Sequence, residues 1–329
     1  MDIGRFHTIV KGYWESQILF SAMKLGIFDL IGGGDAAAGE IASSLSLDPE
    51  NSELFLDALS SMGFLRKGKG RYRNSELTKR HLMKTSKRPL YGFVLHHSHM
   101  WEQWGKLPSL VKKRNPRALL SPEGSLLKRD IIYDFALAMH HGGSEAARDI
   151  SKLCGFKSLD TILDVGGCTG RYSLEIARTT GASTIHILDL PEMARAARKI
   201  LKVYDEKSYR TLKYVRGNFF EVDPPILYDL AIVSNILHSL GPAECVTLLG
   251  RIRKWLKESG RLLIHDLSVG ASGTLPYDAA LFAINMLVNT PSGRVYREKE
   301  MVSFAKEAGF VQFERKRTKG KRLVLICSR

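Results

Sequence analysis

Apolar residues recur at helical spacing through the first hundred positions. Ile18, Leu19, Ala22, Met23, Leu25 and Ile27 lie on one helical stripe, and Gly32-Gly33-Gly34 then interrupts the pattern. A short helix is predicted over 40–45. Asp48 is placed to cap a second helix, with Pro49 at its first turn. That helix presents Leu54, Phe55, Ala58, Leu59 and Met62 and stops at Gly63. Phe64-Leu65-Arg66, a Lys/Gly turn and Arg71-Tyr72-Arg73 then predict a small hairpin. Further helices are predicted over 90–110 and 131–153.

Beyond about 159 the pattern becomes an alternation of strands and helices. Thr161-Ile162-Leu163-Asp164-Val165 is an apolar run of the kind buried in a parallel sheet. Strands are predicted again over 184–189, 212–215, 230–233, 261–266 and 322–326, with helices over 171–179, 193–203, 243–256 and 299–308. The chain therefore divides into residues 1–155, a helical unit with the winged-helix pattern, and residues 156–329, a doubly wound α/β unit. In such folds ligands sit beyond the carboxyl ends of the strands, and candidate chemistry is sought there.

Composition narrows the class. The 329 residues are 44% hydrophobic, enough for two cores, and no apolar run reaches the length of a membrane span. Residues 1–7 lack the charged-then-apolar pattern of a signal peptide. The four cysteines, Cys154, Cys168, Cys245 and Cys327, have no metal-ligand spacing, as expected of a reduced cytoplasmic protein. Net charge is +15. Its densest stretches are 66–73, 112–114 and 315–322, separated along the chain, as solvated turns and surface would be.

The first strand of the α/β unit runs into Asp164-Val165-Gly166-Gly167-Cys168-Thr169-Gly170. A strand, a glycine turn and a helix N-terminus aim backbone N–H groups at a polar ligand. Gly166 and Gly170 fit an acidic-x-Gly-x-x-x-Gly pattern, not the spacing of a nicotinamide-nucleotide turn. An acid at Asp164 can meet the ammonium group of a methionine moiety; the same turn also suits other nucleotide folds. Asp189, at the end of the second strand, can accept hydrogen bonds from both ribose hydroxyls or cap the next helix. In Gly217-Asn218-Phe219-Phe220, Asn218 can read an adenine edge and Phe219 can pack on the ring.

These residues together resemble the plant-type small-molecule O-methyltransferases, the family of caffeic acid, hydroxyindole and bacterial polyketide O-methyltransferases. Leu25-Gly26-Ile27-Phe28-Asp29, Leu59-Ser60-Ser61-Met62-Gly63-Phe64-Leu65 and Phe135-Ala136-Leu137-Ala138-Met139 are similar to its N-terminal signatures. Asp164-Val165-Gly166-Gly167, Asp189-Leu190-Pro191, Gly217-Asn218-Phe219-Phe220 and Ile236-Leu237-His238 follow in the family's order. The resemblance implies a Rossmann-like methyltransferase core behind an N-terminal winged-helix domain that forms a homodimer. It implies S-adenosylmethionine as cofactor and S-adenosylhomocysteine as product, held by Asp164, Gly166, Gly167, Gly170, Asp189, Leu190, Asn218, Phe219 and Ser234. It puts His238 at the catalytic position and Asp266 as its acidic partner. A neutral imidazole suits removal of a hydroxyl proton near pH 7, and an acid behind it orients the ring. The chain departs from the family at four places: Ser239-Leu240 replaces the Asp-Trp that usually follows the catalytic histidine, Cys168 replaces a glycine and narrows the approach to the cofactor, Asn218 replaces an acid, and Val295 stands where plant enzymes carry a second acid.

Trp101, Trp104, Met139, Phe282, Met286 and Asn289 are the candidate lining of a flat, apolar acceptor site. His96, His97, His99, His140 and His141 are read as surface groups or as a positive lining for an acidic acceptor. No cysteine or acid joins them at ligand spacing, so no metal is expected. The reading is an O-methyltransferase for a small aromatic or phenolic hydroxyl. Its rivals are C- or N-methylation of a larger ring and, in another class, a winged-helix DNA-binding regulator that senses the cofactor. The region 51–62 carries Glu53 and Asp57 and no Arg or Lys, which speaks against nucleic acid.

Overall fold

The computed structural model describes residues 1–86, 89–113 and 129–329. Arg114, the last residue of one basic stretch, lies outside them. The chain forms two compact units, Met1–His99 and Met100–Arg329.

In the first unit a helix over Ile3–Leu25 ends at Gly26, whose φ of 74° lets its N–H reach the carbonyls of Ala22 and Met23. Asp48 caps the helix Pro49–Ser61 by accepting from the Asn51 N–H at 2.9 Å. Strands Leu65–Gly68 and Arg71–Asn74 pair antiparallel, and a two-residue strand, Ala36–Ala37, joins the far side of the second. Ala22, Ile27, Phe28, Leu56, Leu59, Leu65 and Tyr72 close the core. Two of the hairpin's cations pair within the unit. Lys67 pairs with Asp57 at 2.7 Å and Glu53 at 3.2 Å, and Arg71 with Asp35 at 2.6 Å and Glu40 at 2.9 Å. The first helix keeps an apolar stripe in solvent: Ile3, Phe6, Val10, Tyr13 and Trp14 are all exposed.

The second unit includes helices α1 (Arg129–Gly142) and α2 (Ser144–Cys154), then β1 (Thr161–Val165), α3 (Arg171–Thr180), β2 (Thr184–Asp189), α4 (Pro191–Tyr204), β3 (Lys213–Arg216), β4 (Tyr228–Ser234), α5 (Pro242–Trp255), β5 (Leu256–Asp266), α6 (Tyr277–Asn289), α7 (Glu298–Glu307), β6 (Gln312–Arg317) and β7 (Leu323–Ser328). The seven strands lie in the order β6-β7-β5-β4-β1-β2-β3. All run parallel except β7, which is antiparallel to both β5 and β6. Chain order reverses between β1 and β4, the place where ligands bind in such sheets. One sheet face buries Leu163, Val165, Val233 and Ile264 against α5 and α7; the other buries Ile162, Ile232, Leu263 and Val324 against α2 and α3.

The predicted Rossmann-like sheet and the helical N-terminal unit are both present. The division into compact units falls between His99 and Met100. Helices α1 and α2 carry no strand signal, so their sequence is continuous with the helices before them; in space they pack on α4 and α3.

Candidate active site

The turn after β1 owes its shape to its glycines. Gly166 and Gly170 adopt φ of 67° and 66°, and a Cβ on Gly166 would stand 2.4 Å from Ile236 Cδ1. A Cβ on Gly167 would stand 2.4 Å from the carboxyl carbon of Asp164. Asp164 is 1% exposed; the Ser173 hydroxyl and N–H pull on its carboxyl, but no hydrogen bond of good geometry reaches either oxygen. Burial pushes its carboxyl up to about 7, against a smaller downward pull from Ser173. A buried acid left without a partner costs free energy unless a cation arrives, and the ammonium of a methionine moiety is such a cation.

Asp189 ties the turn to the second strand. Its Oδ2 accepts from the Cys168 N–H at 2.9 Å and its Oδ1 from the Leu190 N–H at 2.8 Å. Burial holds it up at about 6, with those two N–H groups opposing. It does not cap α4, whose first turn is set by Pro191. Asn218 accepts from the Phe220 N–H at 3.0 Å, and Phe219 packs edge-on against Phe220. Leu190 is half exposed.

Cys168 keeps a left-handed backbone, φ 50°, without being glycine. Its thiol is buried beside Met193 Sδ, at 3.7 Å, and the Ala136 carbonyl, at 3.9 Å. Its own carbonyl accepts from the Tyr214 hydroxyl at 2.9 Å. The side chain thus packs among α1 and α4, which a residue read as a glycine replacement in the turn did not foretell.

His238 sits on a short 3-10 turn after β4, and Asp266 ends β5. The imidazole Nδ1 lies 2.5 Å from Asp266 Oδ1, and the His238 backbone N–H donates to Asp266 Oδ2 at 3.2 Å. Asp266 is 0% exposed and His238 8%. A carboxylate only accepts, so Nδ1 carries the proton and Nε2 is left with its lone pair free to act as a base. The Phe282 ring stands edge-on to the imidazole at 4.9 Å. Phe282, Met286 and Asn289 share one side of α6, and the turn that follows presses Gly293 against the His238 backbone. Asn289 is fully buried; its Nδ2 donates to Asn285, and no described residue donates to its Oδ1.

Other predicted residues lie elsewhere. Met139 is on the exposed side of α1, and Trp101 and Trp104 are each about two-fifths exposed on a short helix, Trp101–Gly105, that touches α6. The Ser234 hydroxyl shares a 2.8 Å hydrogen bond with His265 Nδ1. Three of the five histidines carry no positive charge. His96 and His140 are buried and held neutral, down at about 3, and His141 at about 4, in each case chiefly by burial. His140 instead shares a 3.1 Å hydrogen bond with Thr169 and so braces the glycine turn from α1. Among the described residues, no three metal-ligating side chains converge.

A family model described as an O-methyltransferase domain matches residues 129–311, and one described as an O-methyltransferase dimerisation domain matches residues 8–84. Acetylserotonin O-methyltransferase of Rattus norvegicus is 27% identical over 98% of this chain and 76% of that protein. The tetracenomycin polyketide synthesis 8-O-methyl transferase of Streptomyces glaucescens is 26% identical over 92% of this chain and 93% of that protein. The human N-acetylserotonin methyltransferase, solved in complex with S-adenosylmethionine, shares the fold with a TM-score of 0.84 at 22% identity, over 99% of this chain and 97% of that one.

Proposed function

The chain belongs to the O-methyltransferase family, and on that premise we propose that it moves the methyl group of S-adenosylmethionine to a hydroxyl of a small aromatic or phenolic acceptor, with His238 as the base. The observation that carries this reading is the buried His238–Asp266 pair at 2.5 Å, after β4 and at the end of β5, with β4 paired to the strand that carries Asp164. Asp164, Gly166, Gly167, Gly170, Asp189, Leu190, Asn218 and Phe219 would hold the cofactor, with Ser234 behind them. When bound, the cofactor supplies a methyl carbon on a sulfonium, open to in-line attack.

The chain's own part is to orient and to move one proton. Asp266 fixes the imidazole tautomer, and Nε2 takes the hydroxyl proton as the acceptor oxygen becomes nucleophilic. Asp266 then offsets the positive charge left on the ring, the logic of a base held by an acid. Phe282 and Met286 give the acceptor an apolar bed beside that base. Replacing Asp266 by Asn is expected to lower kcat by about ten- to a hundredfold with little change in cofactor affinity. Steady-state kinetics together with calorimetric titration of the cofactor would check both halves. Product analysis by mass and NMR identifies the methylated atom; a methyl on carbon or nitrogen would overturn the hydroxyl assignment.

We infer a homodimer through the N-terminal unit, in which residues 8–84 match the dimerisation domain. The exposed stripe of Phe6, Val10, Tyr13 and Trp14 on the first helix has the aromatic character of an interface core. Replacing Phe6 and Trp14 together by Asp is expected to cost the association about 2 kcal/mol or more. Sedimentation velocity should then show a monomer at concentrations where the parent protein is a dimer.

A further inference from the structure

The segment that carries His238 leaves β4 through a residue that has to be held in place. Asn235 follows Ser234 with φ 58°, a left-handed backbone in a residue that is not glycine. Its backbone N–H donates to the His265 carbonyl at 2.8 Å. Its side chain is gripped at both ends. Oδ1 accepts from the Arg322 guanidinium at 2.8 Å, and Nδ2 donates to Ser234 Oγ at 3.1 Å and to the Tyr172 hydroxyl at 3.3 Å.

Apart from Ser234, the neighbour of Asn235 on β4, these partners come from α3, β5 and the turn before β7. Tyr172 is the second residue of α3, the helix that opens at the cofactor turn. His265 is the penultimate residue of β5, and its ring faces Tyr172 at 5.3 Å. It is fully buried and neutral, down at about 4 through burial and the charge of Arg322. Arg322 immediately precedes β7, in a turn closed by hydrogen bonds in both directions between it and Thr318. Because side chains alternate along a strand, the last two residues of β5 work on opposite faces of the sheet. Asp266 grips His238 on one face while His265, through Ser234, braces Asn235 on the other. Between them Ile236 lies over Gly166 of the cofactor turn.

We propose that Arg322 and Asn235 are positioning residues for methyl transfer: the guanidinium locks the Asn235 amide, and the locked amide keeps the His238 turn in register with the helix that follows the cofactor turn. The proposal rests on the reading of His238 as the base. A small displacement of such a group is enough to slow the chemistry without touching ligand affinity.

The test is Arg322→Ala and Asn235→Gly; the latter permits the same φ and removes only the side-chain bonds. In both variants kcat per folded molecule is expected to fall by about tenfold, with the cofactor Kd within about threefold of the parent value. Arg322→Lys, which keeps a cation, should recover part of the rate. A second readout does not depend on turnover: the strongly deshielded proton of the His238–Asp266 hydrogen bond, followed by NMR, should shift or broaden in Arg322→Ala. Parent-like kcat with an unmoved proton signal in both variants would overturn the proposal. If His238→Ala retained turnover, the base assignment would fall and the role in methyl transfer with it, while a shifted proton signal in Arg322→Ala would still show that Arg322 holds the His238 turn in place.

Discussion

His238→Ala is expected to lower kcat by about a thousandfold while the cofactor Kd stays within about twofold. The imidazole is held by Asp266 and touches Phe282, whereas the residues of the cofactor turn are bonded to Asp189, Tyr214 and His140. Removing the ring therefore strips the proton acceptor and leaves the turn standing. The rate should recover with rising pH for an acidic phenol, because hydroxide or the ionised acceptor can then replace the lost base. A variant that turns over like the parent at pH 7 would remove His238 from the chemistry.

Asp164→Asn should move stability and binding in opposite directions. In the ligand-free chain this carboxyl is raised from its usual 3.8 to about 7 by burial. A raised acid holds its proton more tightly in the folded than in the unfolded state. Stability is then greatest below about pH 4 as far as this group is concerned, and falls as pH climbs from there towards 7. The neutral amide escapes that loss, so the ligand-free variant should melt about 2–4 °C higher at neutral pH. A ligand ammonium needs the ionised form, and its affinity for the variant should drop about a hundredfold. In the parent protein the same affinity should rise about tenfold between pH 6 and 8, with a proton released on binding below pH 7. Calorimetry in two buffers of different ionisation enthalpy measures that proton; binding that is flat with pH and releases none would show that Asp164 does not meet the cation.

The parts of the site that depend on close approach were legible in the chain. Gly166, Gly167 and Gly170 stand where a Cβ would strike Ile236, Asp164 or Leu212, and such positions leave a glycine signature. His238 carries no periodic signal, and only its place behind Asp164, Asp189 and Asn218 singles it out. The brace around Asn235 was not legible. Arg322 lies 87 positions from Asn235, and Tyr172 lies 63 away. Neither spacing nor composition links polar residues that meet only once the sheet has formed. His140 was misread for a related reason: burial, not residue type, decides whether an imidazole is a surface charge or a neutral hydrogen-bonding group. The exposure of Met139 follows from which side of α1 faces α4, a choice that five apolar residues in a row, 135–139, leave undecided.

The position of β7 also bears on how the protein is made. β7 lies between β5 and β6 and pairs with both, yet it is the last of the seven strands to be synthesised. Until residue 328 has left the ribosome, β5 presents an open edge and β6 has no partner at all. During that interval the nascent chain carries unpaired backbone beside apolar side chains such as Leu263 and Ile264, the condition in which chains associate wrongly. The Arg322 guanidinium arrives with this strand, so the brace on the His238 turn is completed only when the sheet closes.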